Sequence, residues 1–131
     1  MMPRLRLLHL ALTLSAIVIT LTLGALRSFG PAGMVALPPL VAWTLLGFAS
    51  MSILSGAAVR TMIPVMEGSD ETPWITANIG RAVAAWAMLE GGVCLCAVAL
   101  FLGANVYAAG ILAAGGLGYL ASLSPGTLAG H

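Results

Sequence analysis

The chain has 131 residues, 60% of them hydrophobic and only 7% charged, with a mean hydropathy of +1.07 and a formal net charge of +1. A water-soluble domain carries about a quarter charged residues, so this chain cannot cover its surface with polar groups, and lipid must be its solvent. It contains no lysine, which excludes the basic footprint of a nucleic-acid-binding protein, and its length sets a single domain.

The first apolar run is 7–26, bracketed by Arg6 and Arg27 and free of formal charge. A run of about 20 apolar residues is long enough to cross about 30 Å of hydrocarbon. The basic start at Arg4 and Arg6 also fits a signal peptide, but the run is long for one and lacks a small-x-small cleavage site, so the reading is a retained helix. His9, Thr13, Ala16, Thr20, Gly24 and Arg27 follow one another at steps of three and four and share one helical face. That stripe reads as a bundle-facing side whose hydroxyls bond carbonyls one turn back. His9 falls near headgroup depth.

Gly30-Pro31, Gly33 and Pro38-Pro39 mark a connector at 28–39. The second span covers 40–63 and should stop near Pro64, which cannot sit inside a helix. A polar loop at 64–81 holds Glu67, Asp70 and Glu71, which read as a solvated run. Within it Thr72-Pro73 reads as the N-cap and first residue of the third helix, followed by an interfacial stretch with Trp74, Asn78 and Arg81. The third span is 82–102 and the fourth is 106–123, joined by a tight turn at 103–105. The tail at 124–131 is expected to fray.

The predicted fold is therefore all-α, an integral membrane four-helix bundle. Four spans put both termini on the side of the 64–81 loop. That side holds Arg4, Arg6, Arg60 and Arg81, and the other holds only Arg27. Basic residues accumulate on the cytoplasmic side, so both termini are expected in the cytoplasm of a bacterium, with the chain in its inner membrane. Trp43, Phe101 and Tyr107 fall near the outer interface and Trp74 near the inner one.

Helices in lipid associate through small residues and hydrogen bonds. The fourth span offers Gly110, Ala114 and Gly118 at i, i+4 and i+8. The second offers Ser52 and Gly56, and the third Gly91-Gly92. These positions are read as packing surfaces, for the chain's own bundle first and for an oligomer second. Cys94 and Cys96 point about 200° apart on a helix, so they form neither a disulfide nor a metal clip and read as small apolar residues. No metal or cofactor is expected, since no second His, Cys or acid has ligand spacing with His9.

Glu90 is the one charged residue in 82–131. It lies about 13 Å past Arg81 and about 18 Å before Leu102 at 1.5 Å per residue, near mid-membrane. Hydrocarbon cannot solvate a carboxylate, so an acid there marks a functional site by default. A neutral carboxyl can donate a hydrogen bond. The reachable hydroxyls are Thr13 and Thr20 on the first span and Thr44, Ser52 and Ser55 on the second. The primary expectation is a polar latch between helices, and the alternative is a proton- or sodium-binding carboxylate. No catalytic triad, GxSxG, HExxH or phosphate-binding glycine loop accompanies Glu90.

Met88-Leu89-Glu90 followed by Gly-Gly-Val-Cys-Leu-Cys-Ala-Val-Ala-Leu-Phe101 resembles the ion-carrying helix of the proteolipid c subunits of rotary ATPases. In those a mid-helix acid follows a small-residue-rich helix and a polar cytoplasmic loop. The resemblance implies an ion carboxylate at Glu90. The chain departs from the pattern in lacking dense Gly-x-Gly repeats and in carrying its acid on the third of four spans. The whole chain also resembles small uncharacterised bacterial four-span proteins, through its Arg-rich start and the Arg81…Leu89-Glu90 third helix. That likeness implies topology and no activity.

The resulting expectation is a small inner-membrane protein without enzymatic chemistry, a packing or assembly subunit or membrane factor. Its partners are the lipid bilayer and either further copies of itself or a larger membrane complex. The alternatives are an ion-translocating subunit and an enzyme acting on lipid substrates.

Overall fold

A computed structural model describes residues 2–29 and 38–130. The Gly/Pro connector lies mostly outside them, at 30–37, as does His131. The described residues form helices and turns with no strand: α1 Met2–Phe29, α2 Pro39–Thr61, α3 Glu71–Phe101, α4 Val106–Ser122 and a short α5 Pro125–Ala129. Three of them, α1 to α3, are long and apolar enough to cross a membrane, and α4 is a shorter apolar helix.

Local chemistry sets most of the helix ends. Pro39 opens α2 at a position where a missing N–H costs nothing. Asn105 caps α4 by accepting from the amides of Tyr107 and Ala108 at 3.0 and 3.1 Å. The cap of α3 is Asp70 rather than Thr72: its carboxylate accepts from the Thr72 amide at 3.2 Å. Pro73 still fits, because it falls in the first turn, where its missing N–H breaks no helical bond. The helix starts at Glu71, so the interfacial stretch with Trp74, Asn78 and Arg81 is continuous with the apolar run in one helix, α3. The α3–α4 turn is made at Gly103, whose φ of 102° only glycine adopts without strain.

The centre of the molecule is α3, which packs against α2, α4 and α1, while the described parts of α1 and α2 have little contact with each other. The core falls into two parts. Toward the chain termini, Trp74, Ile75, Trp86, Leu89 and Leu120 fill the space between helices, joined by Leu123 and Leu128. Toward the other end the core is mostly alanine, with Ala42, Ala49, Ala99, Ala109 and Ala113 around Leu46 and Cys96. Ile53 packs against both.

The tail is not frayed. Ser124 caps α5, Pro125 starts it and Gly130 ends it with φ of 91°. Leu128 is fully buried, and the Ala129 carbonyl accepts from the Met66 amide at 3.1 Å. Docking on the 62–70 loop orders the tail, because the apolar Leu128 and Pro125 side chains find a core to enter.

Candidate functional site

Glu90 stands on α3 between Trp86, Val93 and Ala97, which lie at i−4, i+3 and i+7 on the same side of the helix and are fully buried. Glu90 itself is half-buried, as is Cys94 one turn on. The acid thus sits at the margin of the core, not inside it.

The five hydroxyls expected around it spend their protons elsewhere or have no partner. Thr13 donates to His9 O at 2.8 Å, Thr44 to Leu40 O at 2.7 Å and Ser55 to Met51 O at 2.7 Å, each one turn back on its own helix. Ser52 reaches across to α3, but to the Met88 carbonyl at 2.6 Å. Thr20 Oγ1 is buried and makes no hydrogen bond among the described residues. None of these hydrogen bonds involves the Glu90 carboxyl. Three of these hydroxyls back-bond to their own helix, the ordinary outcome on an apolar helix, where the i−4 carbonyl is always within reach.

The small-residue motifs divide. A Cβ added at Gly56 would lie 2.9 Å from Leu89 Cγ and 3.0 Å from the Ala85 carbonyl, and one at Gly92 would lie 2.5 Å from Ile53 and 3.0 Å from the Ala49 carbonyl. These glycines bring α2 and α3 into backbone contact, with the Ser52 bond beside them. Gly91 is looser, with only Ser52 Oγ near it at 3.9 Å. On α4 the buried face is Ala109, Ala113, Gly116 and Leu120. The stripe Gly110, Ala114 and Gly118 points away from it: a Cβ at Gly110 or Gly118 meets nothing within 4 Å, and Ala114 is exposed. Among the described residues that stripe packs against no other helix.

Two polar clusters that the sequence reading did not identify lie at the end of the molecule shared by the termini. In the first, His9 Nε2 lies 2.7 Å from Leu120 O, and Trp86 Nε1 donates to Leu123 O at 2.7 Å. A carbonyl only accepts, so His9 Nε2 carries the proton. The His9 and Trp86 rings are in contact, with centroids 5.1 Å apart and planes at 53°. Three helices are thereby tied together at the C-terminal end of α4, where carbonyls lack helical partners. His9 is buried, as expected of a bundle-facing position. The signal in the sequence was Trp86 itself: an indole N–H inside an apolar run requires an acceptor.

In the second cluster, the carbonyls ending α2 are covered from α3 and from α2 itself. Trp74 Nε1 donates to Pro64 O at 2.7 Å, Arg81 Nη1 to Met62 O at 3.2 Å and Arg60 Nη1 to Ile63 O at 3.4 Å. Trp74 is buried in this cap, whereas Trp43 and Tyr107 are exposed. Glu67, Asp70 and Glu71 are exposed. Among the described residues no group of His, Cys, Asp or Glu could hold a metal ion.

No protein-family model, curated protein or solved structure matches this chain.

Proposed function

We propose that this chain is a small polytopic membrane protein of the bacterial inner membrane, with α1 to α4 spanning the bilayer and both termini in the cytoplasm. It serves as a non-enzymatic assembly subunit or membrane factor, and Glu90 is its polar contact with a partner helix. One observation carries the membrane reading: large apolar side chains face outward along the length of α1 and α2. Leu7, Leu10, Leu14, Val18 and Leu21 are exposed on α1, and Leu40, Phe48, Met51 and Leu54 on α2. Such a surface in water drives association, whereas in hydrocarbon it costs nothing. The assembly reading follows from Glu90. A carboxyl at mid-span for which no hydrogen bond is made among the described residues is stabilised by one from outside them.

The test uses Cys94, which lies one turn from Glu90. In a Cys96→Ala background, a thiol-directed photocrosslinker on Cys94 should capture one defined partner in membranes. Capture should persist in Glu90→Gln, which keeps a hydrogen-bonding head, and vanish in Glu90→Leu. Equal capture in both variants would remove Glu90 from the contact. Terminal reporter fusions test the topology, and both should report the cytoplasmic side.

A second reading is favoured by the same half-exposed, unlatched carboxyl: Glu90 is reachable from outside the bundle, as a proton- or sodium-binding group must be. Under that reading a membrane-permeant carbodiimide labels Glu90 selectively, sodium protects it, and Glu90→Gln abolishes ion flux in proteoliposomes. Flux that survives Glu90→Gln would eliminate it.

A further inference from the structure

Arg60 stands in the last turn of α2, and Arg81 reaches the same place from α3. Arg60 Nη1 donates to the Ile63 carbonyl at 3.4 Å and Arg81 Nη1 to the Met62 carbonyl at 3.2 Å, so the two guanidiniums meet one turn at successive carbonyls. Arg81 Nη1 also donates to Asn78 Oδ1 at 3.4 Å. All three acceptors are neutral. Among the described residues neither guanidinium bonds a carboxylate. Acids are close in the chain, at Glu67, Asp70 and Glu71, but Asp70 accepts from the Thr72 amide as the cap of α3. Two like charges on one turn repel. The negative end of the α2 dipole, about half an elementary charge, balances only part of them. The donors are not exhausted either. A guanidinium carries N–H groups on Nε, Nη1 and Nη2, and the bonds above use only Nη1 of each. Arg81 is exposed and Arg60 half-buried, so the remaining donors are open to an anion from outside.

We infer that Arg60 and Arg81 jointly hold the phosphate of one anionic phospholipid in the cytoplasmic leaflet. Charge complementarity selects this occupant. A phosphate diester offers two unesterified oxygens, one for each guanidinium, and the planar fork of arginine suits them. An anion between the two cations also converts their repulsion into attraction to a shared partner. The source is a lipid headgroup because large apolar side chains, Met62 and Val65, stand exposed in the same turn and loop. A free phosphate ion would leave them in water, whereas a lipid covers them. A zwitterionic phospholipid carries the same diester beneath an ammonium group that the arginines repel, so the site favours a net anionic head. The inference rests on the membrane-spanning reading, which places the α2–α3 loop at the cytoplasmic interface.

The full chain, delipidated in mild detergent, is titrated with lipids and followed by native mass spectrometry. Phosphatidylglycerol should bind about tenfold more tightly than phosphatidylcholine, and an excess of inorganic phosphate should not displace it. Arg60→Gln and Arg81→Gln should each weaken phosphatidylglycerol binding about fivefold. The double variant should lose little more than either single one, because one phosphate needs both arginines. Arg81→Lys keeps the charge and should keep the preference, which separates loss of the anion contact from loss of the fold. Arg27→Gln, exposed at the end of α1, should leave binding unchanged. Native affinity in both glutamine variants would overturn the proposal, as would an equal loss in Arg27→Gln. Displacement by inorganic phosphate would overturn the lipid as occupant. Recovery of the chain in the soluble fraction on membrane flotation would instead overturn the membrane reading, so the two failures are distinguishable.

Discussion

The His9 and Trp86 rings meet at a tilt of 53° with centroids 5.1 Å apart, and their ring nitrogens meet the Leu120 and Leu123 carbonyls at the end of α4. The pair is worth more than two separate bonds, because each ring holds the other in the orientation its bond requires. Trp86→Phe keeps the ring and removes the N–H, leaving the Leu123 carbonyl without its indole donor at a cost of about 1–3 kcal/mol. The double variant with His9→Ala should show a coupling of about 0.5–1.5 kcal/mol beyond additivity. Unfolding by SDS in mixed micelles measures both, and strictly additive losses would mean that the rings act independently.

Glycine substitutions should separate by position. Gly92→Ala and Gly56→Ala force a methyl against backbone carbonyls of the neighbouring helix and should lower stability by about 1–3 kcal/mol. Gly110→Ala and Gly118→Ala meet no atom within 4 Å. They should be neutral or stabilising by up to about 1 kcal/mol, the difference in helix propensity. The same unfolding assay decides, and a destabilised Gly118→Ala monomer would contradict the observed rotation of α4.

Glu90→Leu should not destabilise the isolated protein. Among the described residues the carboxyl receives no hydrogen bond from Thr13, Ser52 or Ser55, so its loss breaks no such bond and, under the membrane-spanning proposal, removes a charged group that costs about 2.5–3.5 kcal/mol at a helix centre on insertion scales. Thermal unfolding in detergent should give a melting temperature equal to or above that of the native chain. A clear drop would restore an internal partner for Glu90.

The docking of α5 predicts a local change in protection. Leu128 is fully buried, and Leu128→Ala should cost about 2–5 kcal/mol if the whole bundle senses it. Deleting 124–131 also removes the Ala129 acceptor of the Met66 amide. Limited proteolysis should then cut within 62–70 sooner than in the full chain, and hydrogen exchange at Met66 should accelerate. An unchanged cleavage rate would mean that the loop is ordered without the tail.

The helices were legible because their signals are local. The apolar runs, Pro39 at the start of α2 and Asn105 before α4 act within a few residues of where they stand. The cap of α3 was misplaced by two residues because Asp70 and Thr72 are both good N-caps. The polar connections of the candidate site were not legible, since a carbonyl acceptor carries no mark in a sequence. Nothing in Leu120 or Leu123 announces that His9 and Trp86 will reach them.

By itself the sequence determined that the chain is helical and apolar, and that one acid, Glu90, stands alone in its third run. These follow from composition and periodicity, which no packing can alter. Only the tertiary structure decided which surfaces meet. Ser52 and Gly56 on α2 share the i, i+4 spacing of Gly110 and Ala114 on α4, yet the first pair is pressed against α3 and the second is exposed or open. The physical reason is rotation about the helix axis. Ala109, Ala113, Gly116 and Leu120 turn the other face of α4 inward. In an element with so few polar residues, the fit of side chains against Ile53 and Val93 at Gly116 sets that rotation, not hydropathy.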